Sequence, residues 1–139
     1  MYEVGYTTGV FDLFHVGHLN ILRQSKEKCQ FLIVGVSTDE LALELKGRLP
    51  TIPFKQRMEI IQSIRYVDKV VPEVEMDKLE AWKKLHYNVL FKGSDAQQKE
   101  IYREYEKKLK EIGGVDICYF PYTRGISSTE IKERLGKYR

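Results

Sequence analysis

Phe31-Leu-Ile-Val-Gly-Val36 is a near-continuous apolar run, the pattern of a strand buried on both faces of a parallel sheet. Working outward, residues 2–8 read as a strand before it. Residues 69–71, 89–91 and 116–119 read as shorter strands after it. Helical periodicity fills the gaps, over 19–28, 38–45, 54–64, 77–85 and 97–112. In the last of these Ile101, Tyr105, Leu109 and Ile112 recur at helical spacing among charges. Ser37 with Glu40 and Ser127 with Glu130 have capping-box spacing, Pro53 suits a first helical turn, and Gly113-Gly114 marks a break. Strand then helix, repeated about five times, predicts an α/β fold. The expected architecture is Rossmann-like and doubly wound: a mostly parallel five-stranded sheet with helices on both faces. With no linker or internal repeat, residues 1–139 are expected to form one domain.

Composition narrows the function classes. Hydrophobic residues make up 42% and charged residues 31%, which excludes a disordered chain. A formal charge of +3 spread along the sequence gives no electrostatic footprint for nucleic acid. No apolar run reaches the ~20 residues of a membrane span, and the first residues lack a signal-peptide pattern. Cys29 and Cys118, far apart, form neither a disulfide framework nor a zinc motif. A soluble, cytoplasmic domain is the expectation.

In an open parallel sheet, ligands bind beyond the carboxyl ends of the strands. There stands Thr7-Thr-Gly-Val-Phe-Asp-Leu-Phe-His-Val-Gly-His18. Gly9 permits a tight turn, and Gly17 permits close approach of a ligand. His15 and His18, three residues apart, share a face if a helix starts there. Two imidazoles beside helical N–H groups suit a polyphosphate. The alternatives are two surface histidines, or a zinc pair lacking a third ligand, with His86 far off in sequence.

The Gly9–His18 stretch resembles the signature of the cytidylyltransferase-like nucleotidyltransferases, the HxGH superfamily. Two more segments agree: Thr123-Arg-Gly-Ile-Ser-Ser-Thr-Glu-Ile131 is similar to that family's last-helix motif. Arg65-Tyr-Val-Asp-Lys-Val70 is similar to a segment of glycerol-3-phosphate and choline-phosphate cytidylyltransferases. Ser37-Thr-Asp-Glu40 also fits. The resemblance implies transfer of CMP from CTP to a small phosphorylated alcohol, releasing pyrophosphate. It implies catalytic roles for His15, His18 and Lys46, with Lys46 on a flexible stretch between helices. The nucleotide-binding set would be Gly9, Val10, Phe11, Gly17, Asp95, Tyr122, Thr123, Arg124, Gly125, Ile126, Ser127 and Ser128. Asp12, Asp39, Arg57 and Arg65 would bind the acceptor. Magnesium is implied with the triphosphate, with no protein metal ligand, and a homodimer is implied as the assembly.

Plainer roles stay open for several of these residues. Arg65 with Asp68, and Arg57, could be structural ion pairs. Asp95 could close a turn, Ser127 could only cap its helix, and Tyr102, Tyr105 and Trp82 fit packing. The pattern also departs from the relatives. Tyr122 stands where they have an arginine, which Arg124 would have to replace. Val74-Glu-Met76 stands where they have a tryptophan. Lys46-Gly-Arg-Leu-Pro50, Gln56-Arg-Met58 and Lys92-Gly-Ser-Asp95 resemble heptose-phosphate adenylyltransferases. ATP as nucleotide, with a sugar phosphate or FMN as acceptor, is therefore the alternative enzyme reading. A catalytically inactive nucleotide-binding regulator is the alternative outside the enzyme class.

Overall fold

The computed structural model describes residues 1–137; the last two positions of the expected 1–139 domain lie outside the described residues. Five strands form one sheet: β1 (Tyr2–Gly9), β2 (Cys29–Ser37), β3 (Lys69–Glu73), β4 (Val89–Gly93) and β5 (Asp116–Phe120). Their order is β3-β2-β1-β4-β5, and every pairing is parallel. The helices are α1 (Val16–Glu27), α2 (Asp39–Lys46), α3 (Phe54–Gln62), α4 (Lys78–Leu85), α5 (Glu100–Gly113) and α6 (Ser128–Gly136). A short 3₁₀ turn at Ser94–Gln98 precedes α5.

The apolar run over residues 31–36 is the reason for the layering. Leu32, Val34 and Val36 face one core with Leu22 of α1 and Ile61 of α3. Ile33 faces the other, where Tyr102, Tyr105 and Leu109 of α5 meet Tyr87 and Leu90. Alternate side chains of one strand thus enter two cores, so a continuous apolar run is required. Tyr102 and Tyr105 pack edge to face inside the second core. Trp82 packs there too, and its indole donates to the Tyr87 carbonyl. The chain reverses direction across the sheet between β1 and β4, and the carboxyl ends on either side of that switch open into the site.

Several boundaries differ from the sequence reading: α3 ends at Gln62, and α5 starts at Glu100, after the 3₁₀ turn. Thr38, not Ser37, caps α2, accepting from the Leu41 amide at 3.1 Å. The Ser37 hydroxyl is instead drawn to Glu73 at 2.9 Å. Helix α1 starts three residues earlier than expected, because His15 acts as its N-cap.

Candidate functional site

The loop from β1 to α1 is the strained part of the site. Phe11 and Leu13 both sit in the left-handed region, at φ 55° and 50°, each a position that costs about 1–3 kcal/mol for such a residue. Side chains of α3 and α6 and the amides of residues 51 and 52 hold it in place. The Asp12 carboxylate accepts from the Thr51 and Ile52 amides at 2.8 and 2.9 Å and pairs with Lys132 at 3.3 Å. Burial opposes its ionisation, but these partners hold the carboxyl below the usual range. Ser128 donates to the Asp12 carbonyl at 2.7 Å. Arg57 is fully buried and donates to the carbonyls of Val10, Ser37 and Ile52 at 2.7–2.8 Å and to Asp39 at 2.6 Å.

These bonds correct the expected acceptor-binding set. Arg57 and Asp39 spend their polar atoms on backbone and on each other, and Asp12 spends its own on two amides and Lys132. They position the β1–α1 loop, and of the three only Asp12 lines the cleft described below. Arg65 lies before β3, at the amino end of the sheet and away from the site, where its guanidinium meets the Tyr66 hydroxyl at 3.0 Å. Asp68 pairs with Lys26, not with Arg65.

The positioned loop presents the two histidines. His15 caps α1 by accepting the Gly17 amide on Nδ1 at 3.0 Å, and His18 Nδ1 accepts the His15 amide at 3.2 Å. The rings stack with centroids 3.8 Å apart. Because each Nδ1 is an acceptor, each neutral imidazole carries its proton on Nε2. Burial lowers both pKa values, that of His18 to about 4 with the neighbouring His15 and Lys46 adding to the effect. At neutral pH the pair is therefore two uncharged Nε2–H donors. Gly17 has a different use from the one expected: a Cβ there would stand 2.8 Å from the His15 ring, so the glycine makes room for the histidine itself.

Both histidines line a cleft of about 750 Å³ over the carboxyl ends of the strands, within the size range of small-molecule sites. Gly9, Val10, Phe11, Asp12, Gly17, Lys46, Asp95, Tyr122, Thr123, Ile126, Ser127 and Ser128 line it as well. Lys46 is the last residue of α2 rather than part of a flexible stretch. The amino end of α6 enters the cleft, with Ser127 capping it by accepting the Glu130 amide at 3.0 Å. Glu130 does not reciprocate, so the expected capping box is half formed. Thr123 accepts from Asn20 at 3.0 Å. Tyr122 donates to Asp95, and its ring lies over Gly93, where a Cβ would meet it at 2.9 Å. Arg124 and Gly125 are exposed and do not line the cleft. His86 ends α4 in a left-handed conformation against Trp82 and does not join the pair.

Several cleft residues were given no role in the sequence reading: Thr7, Thr8, Arg48, Glu73, Lys78, Lys92, Lys99 and Lys132. Six cationic side chains line the cleft against three carboxylates, a charge balance suited to polyphosphate. Thr7, Thr8, Arg48 and Lys92 stand inside the motif segments quoted above, and the signal for Glu73 was its place at the carboxyl end of β3.

Comparison with known proteins decides the family. The family described as cytidylyltransferase-like matches residues 6–134. The chain belongs to that family. Among its relatives, glycerol-3-phosphate cytidylyltransferase of Bacillus subtilis (strain 168) is 35% identical over 130 residues, 93% of this chain and 94% of the relative. FAD synthase of Pyrococcus abyssi is 42% identical over 116 residues, 82% of this chain and 77% of the relative. A solved lipopolysaccharide core biosynthesis protein from Thermoplasma volcanium superposes with a TM-score of 0.72 at 25% identity, covering 88% of this chain and 98% of that one. This cytidylyltransferase-like protein is a nucleotidyltransferase.

Proposed function

We propose that this nucleotidyltransferase moves CMP from CTP to a small phosphorylated alcohol. The observation that carries the transfer chemistry is the pair of neutral Nε2–H donors, fixed by backbone bonds at the mouth of a cationic cleft. An oxygen of the acceptor phosphate attacks the α-phosphorus, and the bond to the bridging oxygen breaks, releasing pyrophosphate. Such a reaction requires positioning and charge stabilisation more than a protein nucleophile. His15 and His18 donate to the phosphate oxygens as charge develops. The α6 amino end holds phosphate with backbone N–H groups, and Lys46 neutralises charge from α2.

The choice of CTP and a small acceptor is supported by the nearly end-to-end match to the glycerol-3-phosphate enzyme. The higher identity to FAD synthase favours a second reading, ATP with FMN. Calorimetric titration of CTP, ATP, GTP and UTP with magnesium tests the choice. Tightest binding of CTP supports the first reading, and tightest binding of ATP replaces it with the second.

Magnesium would accompany the triphosphate rather than occupy a protein cage. Among the described residues no three acidic, histidine or cysteine side chains converge. Of the carboxylates lining the cleft, Asp12 and Glu73 are bonded to protein groups and Asp95 to Tyr122. Bound through phosphate oxygens, the ion would neutralise charge on the leaving group.

A further inference from the structure

The floor of the cleft holds a second charged cluster, away from the histidine loop. Glu73 and Lys78 form a buried ion pair at 2.6 Å, and the other Glu73 oxygen accepts from Ser37 at 2.9 Å. The Lys78 segment is fixed by Tyr87, whose hydroxyl donates to the Lys78 carbonyl at 2.7 Å. Lys92, at the carboxyl end of β4, lines the cleft beside this pair. Residues 33, 71 and 90 enter the core shared with α4 and α5, so strand alternation puts Ser37, Glu73 and Lys92 on that same face. The Glu73 carboxylate is already used by Lys78 and Ser37. Among the described residues, the one hydrogen bond of the Lys92 ammonium is a 3.5 Å contact to the Thr8 carbonyl. An ammonium has three protons to donate.

We infer that Lys92, backed by the Glu73–Lys78 pair, is the subsite that takes the phosphate of the acceptor substrate. This rests on the reading of the protein as a transferase acting on a phosphorylated acceptor. Both Glu73 oxygens are taken and Lys78 offsets the carboxylate's charge, so the pair shapes the floor, and Lys92 adds a charge that the pair does not offset. A dianionic phosphate monoester gives it the hydrogen-bond acceptors it lacks. Position separates this subsite from the α6 amino end: Lys92 lies at the switch between β1 and β4, on the α4–α5 side of the sheet.

The surroundings of Lys92 give the subsite a pH signature. Its pKa is pushed down to about 8, first by burial and then by Lys78, with Lys99 adding; Glu73 and Asp95 act the other way. Lys78 stands on α4, Glu73 on β3, Asp95 in the 3₁₀ turn and Lys99 just before α5. Tyr102 of α5 and Tyr122 also line this part of the cleft, and their hydroxyls stay protonated well above neutrality. Phosphate esters complete their ionisation near pH 6, so between pH 7 and 9 the lysine is the group that titrates.

The test measures binding of glycerol 3-phosphate and of inorganic phosphate. The nucleotide site is first saturated with a non-hydrolysable analogue of whichever triphosphate the titrations select. In the wild-type protein, affinity should fall about tenfold between pH 7 and 9. Lys92→Met should weaken binding at least tenfold at pH 7 and abolish the pH dependence. Lys92→Arg should bind and lose no affinity up to pH 9, a result that a purely structural lysine would not give. Thermal melting confirms that each variant is folded. If inorganic phosphate follows this pattern while glycerol 3-phosphate does not bind, the subsite stands and the small-alcohol reading falls. If Lys92→Met weakens triphosphate binding and leaves both anions unaffected, or if Lys92→Arg keeps the wild-type pH dependence, the inference is overturned.

Discussion

Replacing Arg57 with Met separates a positioning role from a ligand-binding one. Methionine keeps most of the side-chain volume, so the change removes hydrogen bonds rather than opening a cavity. Three carbonyls, those of Val10, Ser37 and Ile52, lose a charged donor at 2.7–2.8 Å. At the low end of charge-assisted bonds, roughly 1.5 kcal/mol each, the loss is about 4–5 kcal/mol. Asp39 adds little, because its side chain is 33% exposed and water can replace the guanidinium. For a chain of this length about 1 kcal/mol moves Tm by roughly 3–4 °C, so Arg57→Met should melt about 12–20 °C lower. Arg57→Lys keeps a charge opposite Asp39 but reaches fewer acceptors, and should lie between. Circular dichroism melts with urea titrations measure both. A drop below about 5 °C for Arg57→Met, with a raised acceptor KM, would refute the clamp and return Arg57 to the acceptor.

Three further outcomes follow from the site. His15→Ala and His18→Ala should each lower kcat by about 100–1,000-fold, the usual cost of losing a preorganised donor, checked by pyrophosphate release. His18 has a folded pKa of about 4 against an unfolded value of about 6.5. The unfolded chain therefore binds a proton first as pH falls: stability is unaffected above pH 6.5 and declines between 6.5 and 4. Urea titrations across that window should show a shallower decline for His18→Gln. Arg124→Ala should change the triphosphate Kd less than twofold by calorimetry, because that side chain is exposed and outside the cleft lining.

Elements with a strong local pattern were legible in the sequence. The 31–36 run demanded a strand buried twice, and β2 is that strand. The spacing of His15 and His18 predicted their shared face because cap, stack and helix start all lie within four residues. What the sequence concealed depends on distant partners. Arg57 read as an acceptor ligand or as half of an ion pair, yet carbonyls 47, 20 and 5 residues away take up its guanidinium. Ser37 had capping-box spacing, but Glu73 from the neighbouring strand offered its hydroxyl a buried partner. Lys78, next to a helix cap, gave no sign of burial, because the Glu73 that holds it precedes a turn. Arg65 sat in a motif shared with relatives, and only the position of β3 shows that it faces the other end of the sheet.

The central claim is nucleotidyl transfer to a phosphorylated small alcohol by the histidine pair. Phosphorus NMR of the purified protein with magnesium, CTP and glycerol 3-phosphate observes every bond in that claim. A new pair of diphosphate resonances should grow in step with free pyrophosphate and vanish in the His15→Ala, His18→Ala double variant. Pyrophosphate released at wild-type rate by the double variant would contradict the mechanism. A diphosphate product formed with ATP and FMN but not with CTP would contradict the substrate assignment.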